Sequence, residues 1–199
     1  MKKLALIMLA AGNSRRFGSN KLLYPVEGIP MYQRILDKLV NAEEKLKKEK
    51  PDLCVKITVV TQYEKIAEEA EKRGAAVLFN PHPDEGISSS IRIGVMGNRD
   101  ADACLFTVSD QPWIEEETIL ALIRLFLSRG KGMACVSFQG KLGNPCIFSS
   151  RYFGELSSLT GESGGKAVLR LHRKDAEVLK VRDGRELVDV DQPDRMVWQ

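Results

Sequence analysis

Small residues and cations follow the first apolar run of the chain, in an order suited to binding phosphate. The run covers residues 4–9, and the segment 10–21 after it reads Ala-Ala-Gly-Asn-Ser-Arg-Arg-Phe-Gly-Ser-Asn-Lys. Glycine lets backbone N–H groups approach a ligand closely, a serine adds a hydroxyl donor, and three cations within seven positions add positive charge. This serine and these cations are Ser14, Arg15, Arg16 and Lys21. The segment therefore predicts a loop that holds a polyphosphate.

The spacing of this loop differs from the two common phosphate-binding motifs. A Walker loop has four residues between its glycines and a lysine after the second, whereas here five residues separate Gly12 from Gly18 and Ser19 follows. The dinucleotide fingerprint needs a second glycine where this chain has Ser14. The remaining explanations are a different phosphate-binding loop or an ordinary glycine-rich turn with surface cations.

Two acidic clusters supply oxygen ligands for a metal ion. Asp110 lies in Ser-Asp-Gln-Pro (109–112), directly after the apolar run 104–108, and the segment 189–194 reads Asp-Val-Asp-Gln-Pro-Asp. Mg²⁺ is commonly held by one or two carboxylates together with substrate phosphates. The clusters therefore predict a magnesium site, with capping of a helix that begins near Glu115 as the alternative role of Asp110.

The elements that must position these residues follow an alternating pattern of strands and helices. Such alternation is typical of a parallel sheet with helices on both faces. The predicted strands are 4–9, 55–61, 76–79, 104–108, 133–138, 145–148, 177–181 and 187–190. The predicted helices run from Met31 into the charged end 43–50, through Ala70 to near Gly74, and over 90–95, 115–128 and 166–172. The shorter pieces of the last third predict an antiparallel addition to the sheet.

Ligands of open α/β sheets collect outside the carboxyl ends of the strands. The loops after Leu9, Phe79, Val108 and Phe138 are therefore expected to converge on one cleft. Alternation along the last predicted strand places Asp189 and Asp191 on the same side of it. The segment 80–90 (Asn-Pro-His-Pro-Asp-Glu-Gly-Ile-Ser-Ser-Ser) leads from this edge into a helix, where its serines either recognise a pyrimidine base or only cap the helix.

Four motifs together resemble those of one enzyme family. They are Leu-Ala-Ala-Gly (9–12), Ser-Asp-Gln-Pro (109–112), Gly-Asn-Pro (143–145) and Asp-Val-Asp-Gln-Pro-Asp (189–194). The sequence resembles the MobA-like NTP-transferase family over essentially its whole length, and most closely the molybdenum cofactor cytidylyltransferase branch. The resemblance implies a single domain over residues 1–199 with a three-layer α/β/α fold, built on a mostly parallel, Rossmann-like nucleotidyltransferase sheet.

The resemblance also implies roles for individual residues. Lys21, Arg16 and Asp110 are the expected catalytic residues, and Asp110 and Asp191 are the expected ligands of Mg²⁺. Nucleotide binding is expected from Ala10, Ala11, Gly12, Ser14, Arg16, Lys21, Asn80, Ser88, Ser90 and Asp110. Acceptor binding is expected from Gly143, Asn144, Gly164 and Lys166. The segment Gly-Glu-Ser-Gly-Gly-Lys (161–166) departs from the Gly-Asp-x-Gly-Ala-Arg of the family, and its Lys offers a point charge where Arg offers a planar fork.

Composition excludes several other classes of protein. The 199 residues, 43% of them hydrophobic, can bury one sizeable core, and no apolar run approaches the length of about 20 residues that a membrane span needs. The net charge of +3 is small and mixed along the chain, so no nucleic-acid surface is predicted. Four widely spaced cysteines predict reduced core residues of a cytoplasmic protein. They are Cys54, Cys104, Cys135 and Cys146.

The expected reaction moves CMP from CTP to the phosphate of molybdopterin, with a molybdoenzyme as a further partner. Two alternatives stay open: a chaperone that delivers the molybdenum cofactor without turnover, and a nucleotidyltransferase for another NTP or another phosphorylated acceptor. Ala11, where guanylyl-transferring relatives often have Gly, favours CTP.

Overall fold

A computed structural model describes residues 2–14, 17 and 20–191. Its strands are β1 (Lys3–Ala10), β2 (Pro25–Val26), β3 (Ile29–Pro30), β4 (Cys54–Thr61), β5 (Ala76–Phe79), β6 (Ala103–Val108), β7 (Met133–Phe138), β8 (Lys141–Ser149) and β9 (Ala176–Lys180). Its helices are α1 (Met31–Glu49), α2 (Glu64–Lys72), α3 (Ile87–Met96), α4 (Glu116–Arg129), α5 (Phe153–Ser157) and α6 (Gly165–Leu171). The predicted elements up to β9 are therefore present, with bounds that differ by a few residues.

Seven of the strands form one central sheet in the order β5-β4-β1-β6-β8-β7-β9. All neighbours pair in parallel except β8, which runs antiparallel to both β6 and β7. The strands β2 and β3 form a separate small hairpin. The predicted α/β class with a mostly parallel sheet is confirmed, and β8 supplies the expected antiparallel addition, whereas β9 is parallel to β7. That residues 1–199 form one domain stays a prediction.

The two faces of the sheet bury alternate residues of the same strand. Leu4, Leu6 and Met8 of β1 pack in one apolar cluster with α1, α2 and α4, whereas Ala5 and Ile7 pack in a second cluster with α3, α5 and α6. Because both faces of β1 are covered, the strand is apolar from Leu4 to Ala10. The fold therefore has three layers. The polar residues of the candidate site lie in the loops at one edge of the sheet, where the parallel strands end.

The predicted strand at 187–190 is wrong. The structure has a 3₁₀ turn at Gly184–Leu187, followed by an extended segment that joins no sheet. The backbone of this segment is instead tied to the loop after β6, because the N–H of Val190 donates to the carbonyl of Asp110 at 2.9 Å. This single backbone bond stands in place of the regular hydrogen bonds that a strand would make with its neighbour. It holds the second acidic cluster at the edge of the sheet where β6 ends.

The cysteines and the helices bear on two further expectations. Cys104, Cys135 and Cys146 are buried in the sheet, as predicted for core residues, but Cys54 is exposed because it begins β4 at the opposite end of the strand from the site. Within the described part of the chain, no helix has the length and apolar content needed to cross a bilayer.

Candidate functional site

The loops after β1 and β6 begin side by side. Leu9 pairs with Val108 in the sheet, and the hydroxyl and the N–H of Ser109 donate to the carbonyl of Leu9 at 2.9 Å and 3.2 Å. Because the two strands are parallel, both chains leave the sheet at the same edge. The loop rich in small residues and the loop that carries Asp110 are therefore direct neighbours, as the strand pattern predicts.

The first turn of the loop after β1 is anchored from β4. The carbonyl of Ala11 accepts a hydrogen bond from Gln62 Nε2 at 2.8 Å, and the carbonyl of Gly12 accepts one from the Tyr63 hydroxyl at 2.7 Å. In a trans peptide the N–H points opposite to the preceding carbonyl, so the N–H groups of Gly12 and Asn13 point away from these anchors. Two successive donors therefore point to the side of the loop opposite these anchors, which is the arrangement that an anion-binding loop needs.

Gln62 and Tyr63 were not among the predicted residues. Their signal was present in the sequence, because they directly follow the predicted strand 55–61 and so lie at the same edge as the other loops.

Further along the loop after β1, Ser14 has a left-handed backbone (φ 50°), and its hydroxyl accepts a hydrogen bond from the N–H of Lys21 at 3.1 Å. Ser14 therefore fixes the start of the 3₁₀ turn that carries Lys21. The predicted role of Arg16 lies outside the described residues.

Lys21, Asp110 and Asp191 meet in what is called here the ion cluster. Lys21 Nζ lies 2.8 Å from Asp110 Oδ2 and 3.2 Å from Asp191 Oδ1, and only 12% of the lysine side chain is exposed. Burial disfavours the charged amine, but the attraction of the two carboxylates outweighs it and raises the pKa of Lys21. Three residues from distant parts of the chain thus hold one partly buried positive charge between two negative ones.

Asp189 lies next to the ion cluster with a different partner. Its Oδ1 accepts a hydrogen bond from Gln111 Nε2 at 2.8 Å, and the same amide nitrogen donates to the carbonyl of Leu187 at 3.3 Å. Burial and the nearby charge of Asp110 raise the pKa of Asp189. Gln111 therefore attaches the acidic segment to the loop after β6, a contact that no sequence pattern indicated.

Two adjoining cavities open at this edge. The loop cavity, of about 340 Å³, includes Ala11, Gly12, Asn13, Ser14, Lys21, Pro83, Asp84 and Ser90 in its lining. The β8 cavity, of about 240 Å³, includes Asn144, Cys146, Gly164, Gly165, Lys166 and Asp189. Five residues line both, namely Leu9, Ile87, Val108, Asp110 and Glu162. Asp110 therefore stands at the boundary between a cavity bordered by the glycine loop and one bordered by a lysine.

The predicted nucleotide-binding and acceptor residues divide between these cavities and the protein interior. Ala11, Gly12, Ser14, Lys21, Ser90 and Asp110 line the loop cavity, and Asn144, Gly164 and Lys166 line the β8 cavity. Ala10 and Gly143 are buried in β1 and β8 and line neither cavity. The structure thus brings most of the predicted residues to the cavities and leaves these two in the strands.

Asn80, Ser88, Ser89 and Ser90 form a second polar group, called here the asparagine–serine cluster. The buried Asn80 amide donates to the hydroxyls of Ser89 and Ser90 at 2.9 Å and 3.0 Å, and its oxygen accepts from the N–H of His82 at 2.9 Å. The Ser88 hydroxyl bonds to the carbonyl of Glu85 at 3.4 Å. The side-chain groups of Asn80 are thus committed to the protein, and Ser90 alone of the four lines the loop cavity.

The ion cluster has the donor set that a hard divalent cation requires. Asp110 and Asp191 already converge on one cation, and carboxylate oxygens are preferred ligands of Mg²⁺. In the described part of the chain, no group of three or more His, Cys, Asp or Glu residues is arranged for a metal. Two carboxylates fit an ion that takes its other ligands from substrate phosphates and water.

Comparisons with known proteins agree with this geometry. Residues 6–178 match the family described as the MobA-like NTP transferase domain. Purine catabolism protein PucB of Bacillus subtilis (strain 168) is 28% identical over 192 residues, which cover 94% of this chain and 91% of that protein.

Solved structures with 22% and 16% sequence identity share the fold. Rv0371c from Mycobacterium tuberculosis H37Rv has a TM-score of 0.77, and the match covers 97% of this chain and 96% of that one. Molybdopterin-guanine dinucleotide biosynthesis protein A from Archaeoglobus fulgidus has a TM-score of 0.68, with coverage of 96% and 94%. The family match extends from β1 into β9 and includes both the loop after β1 and the loop after β6. This chain is therefore a nucleotidyltransferase that belongs to the MobA-like NTP transferase family.

Proposed function

We propose that the chain transfers CMP from CTP to the phosphate of molybdopterin and releases pyrophosphate. The observation that carries the proposal is the position of Asp110, which lines both the loop cavity and the β8 cavity and contacts Lys21. A nucleoside triphosphate in the first cavity and a phosphorylated acceptor in the second meet at this carboxylate. The two substrates of a nucleotidyl transfer have to meet in this way.

The residues of the chain position and neutralise the reacting phosphates. An oxygen of the acceptor phosphate attacks the α-phosphorus of the NTP, the bond to the bridging oxygen of the β-phosphate breaks, and pyrophosphate leaves. The N–H groups of Gly12 and Asn13 and the ammonium of Lys21 offset the negative charge of the triphosphate. Mg²⁺, when held by Asp110 and Asp191, supplies further charge neutralisation. No nucleophilic side chain and no general base are required.

The β8 cavity fits a phosphorylated acceptor. Lys166 provides a cation and Asn144 an amide at its wall, and Glu162 stands at the boundary with the loop cavity. The Archaeoglobus fulgidus neighbour is named for molybdopterin-guanine dinucleotide biosynthesis, which supports a molybdopterin acceptor. The choice of CTP rests on Ala11 and on the resemblance of the motifs to cytidylyltransferases. A molybdoenzyme that receives the product is the proposed partner.

Pyrophosphate release tests this function. The protein is incubated with Mg²⁺ and each of CTP, GTP, ATP and UTP, and each mixture receives no acceptor, molybdopterin or a sugar phosphate. Asp110→Asn serves as the inactive control. We expect release only when molybdopterin is present, and fastest with CTP. A faster reaction with GTP would contradict the base, and release with a sugar phosphate instead of molybdopterin would contradict the acceptor. Tight molybdopterin binding without any release would identify a cofactor chaperone.

A further inference from the structure

The loop that carries Asp110 is held from helix α1 by two cations. The carbonyl of Pro112, two residues after Asp110, accepts hydrogen bonds from Arg34 Nε at 3.2 Å and from Lys38 Nζ at 2.9 Å. The two side chains lie one helical turn apart on α1, so they reach the same carbonyl. The position of this loop is therefore fixed from outside both cavities.

Arg34 also holds the segment that follows Lys21. Its Nη1 donates to the carbonyl of Val26 at 3.1 Å, and its Nη2 lies 3.0 Å from Glu27 Oε2. Val26 belongs to the β2–β3 hairpin, which begins directly after the turn that carries Lys21. One guanidinium therefore connects the Lys21 segment with the Asp110 loop, whereas Lys38 donates its hydrogen bond to the loop.

Apolar packing attaches the segment that carries Asp191 to the Lys21 segment and the Asp110 loop, the two segments that Arg34 connects. Val26, Met31, Trp113 and Val190 form one buried cluster. Val190 directly precedes Asp191, and its N–H bonds to the carbonyl of Asp110. The three segments that supply Lys21, Asp110 and Asp191 thus converge beside Arg34.

We propose that Arg34 is a positioning residue for nucleotidyl transfer, which sets the distance between Lys21 and the Asp110 carboxylate through the carbonyls of Val26 and Pro112. Arg34 lines neither cavity, so it acts on the substrates only through these segments. The guanidinium is suited to this role because it presents donors in several fixed directions, whereas an ammonium is a point charge on a flexible stem. The inference rests on the proposed roles of Lys21 and Asp110.

Variants of Arg34 test the inference by turnover and by metal binding. We expect Arg34→Gln and Arg34→Lys to lower kcat by about 10- to 100-fold, because displacements of the order of 1 Å at a reacting centre have effects of this size. The affinity for Mn²⁺, followed by its EPR signal, should fall several-fold, and KM for the NTP should change less than kcat. Guanidinium ion added to Arg34→Ala should restore part of the activity.

Matched variants separate positioning from general stability. Lys38→Met removes one of the two bonds to Pro112 and leaves the connection to Val26, so it should lower kcat less than Arg34→Gln does. Arg124→Ala, which removes ion pairs with Glu49 and Glu117 at the surface, should leave activity and Mn²⁺ binding unchanged. Melting temperatures of all variants are measured in parallel.

Three outcomes would overturn the inference. The first is full kcat and normal Mn²⁺ affinity in Arg34→Lys, and the second is a loss of activity that only follows the unfolded fraction and is not restored by guanidinium. The third is normal turnover in Lys21→Met and Asp110→Asn, which would also remove the proposed function. If these two variants are inactive while the Arg34 variants are fully active, the proposed function stands and only the inference fails.

Discussion

The ion cluster and the asparagine–serine cluster lie at the same edge of the sheet but use their polar groups differently. In the ion cluster, Lys21 and Asp110 line the loop cavity, and the Asp191 side chain beside them is about half exposed, at 49%. In the asparagine–serine cluster, Asn80 is fully buried, and its amide is bonded to Ser89, Ser90 and His82. The charged groups of the first cluster can still bind a ligand, whereas the amide of the second cluster makes its hydrogen bonds within the loop itself.

This difference shows that a polar residue near a cavity is not by itself a ligand residue. A buried amide with all its partners in the protein stabilises a loop, and the loss of one partner leaves the others unsatisfied. The charged groups of the ion cluster are the proposed ligands of substrate and metal, so we expect their removal to affect the reaction more than the fold. The two clusters should therefore respond in opposite ways to substitution.

The largest effect is expected for Asp110→Ala. The variant loses a carboxylate that lines both cavities, so turnover should fall below detection while the protein stays folded. Pyrophosphate release and circular dichroism measure the two properties, and Asp100→Ala, which removes a surface ion pair with Lys3, is the control. Near-normal activity with Mg²⁺ would exclude Asp110 from the metal site.

Lys21→Met should have the next largest effect. The substitution keeps most of the aliphatic stem but removes the charge, and the loss of one preorganised donor lowers turnover by about 10²- to 10³-fold. The melting temperature should change little, because Asp110 and Asp191 remain accessible to water. A large fall in melting temperature with a proportionate loss of activity would instead make Lys21 a structural residue.

Asn80→Ala should show the opposite behaviour. The substitution leaves Ser89, Ser90 and the N–H of His82 without their buried partner, which should lower the free energy of unfolding by about 1–3 kcal/mol. Urea denaturation measures this loss, and Ser90→Ala is the comparison, since Ser90 lines the loop cavity and should affect KM for the NTP more than stability. If Asn80→Ala is fully stable but binds NTP weakly, the residue acts on the nucleotide after all.

The smallest effect is expected for the contribution of Lys38 to stability. Like Lys21, Lys38 is a partly buried ammonium, but its partner is the carbonyl of Pro112, whereas the partners of Lys21 are carboxylates. Burial and the nearby Arg34 lower the pKa of Lys38 to about 8, against attraction by Glu115, Glu186 and Glu27. In the unfolded chain the pKa is near 10.5, so between these values the unfolded state binds more protons at this site. The contribution of Lys38 to stability therefore rises with pH over this window.

Urea denaturation at several pH values from 7.5 to 10.5 measures this contribution. The difference in unfolding free energy between the parent protein and Lys38→Met should move in favour of the parent as the pH rises from about 8 to about 10.5. A difference that is constant over this range would show that the pKa of Lys38 is not lowered.

The fold was predictable where local pattern and tertiary structure agree. The strand 4–9 is apolar on both faces because helices cover both faces, and the helix from Met31 ends at Glu49 before Pro51, as its charged end predicts. The segment 187–190 also alternates, but its backbone bonds to the loop at Asp110 in place of a neighbouring strand. Its final position depends on Gln111 and Val26, which are remote in sequence, so no local pattern could reveal it.

The sequence could predict which loops form the site, but it could not predict which side chains of those loops line the cavities. The rule that ligands collect at the carboxyl ends of strands correctly indicated the loops after β1, β5 and β6, which line the loop cavity, but the loop after Phe138 lines neither cavity. Lys21, Asp110 and Asp191 do come together. The same rule did not distinguish Ser90 at the cavity wall from Asn80 inside the protein, because both follow the same strand. That distinction depends on side-chain direction, which the tertiary structure determines.

The ion cluster also has a consequence for how the protein is made. Lys21 is 89 positions from Asp110 and 170 positions from Asp191, and chains are synthesised from the N-terminus. A nascent chain therefore exposes the glycine loop, Lys21 and Asp110 well before Asp191 leaves the ribosome. A translation product that stops at residue 185 contains all seven strands that the structure describes in the sheet, but only one of the two carboxylates at Lys21. Under the proposed roles of Lys21, Asp110 and Asp191, such a product lacks one of the two metal ligands, so we expect catalytic competence only in chains that extend past residue 191.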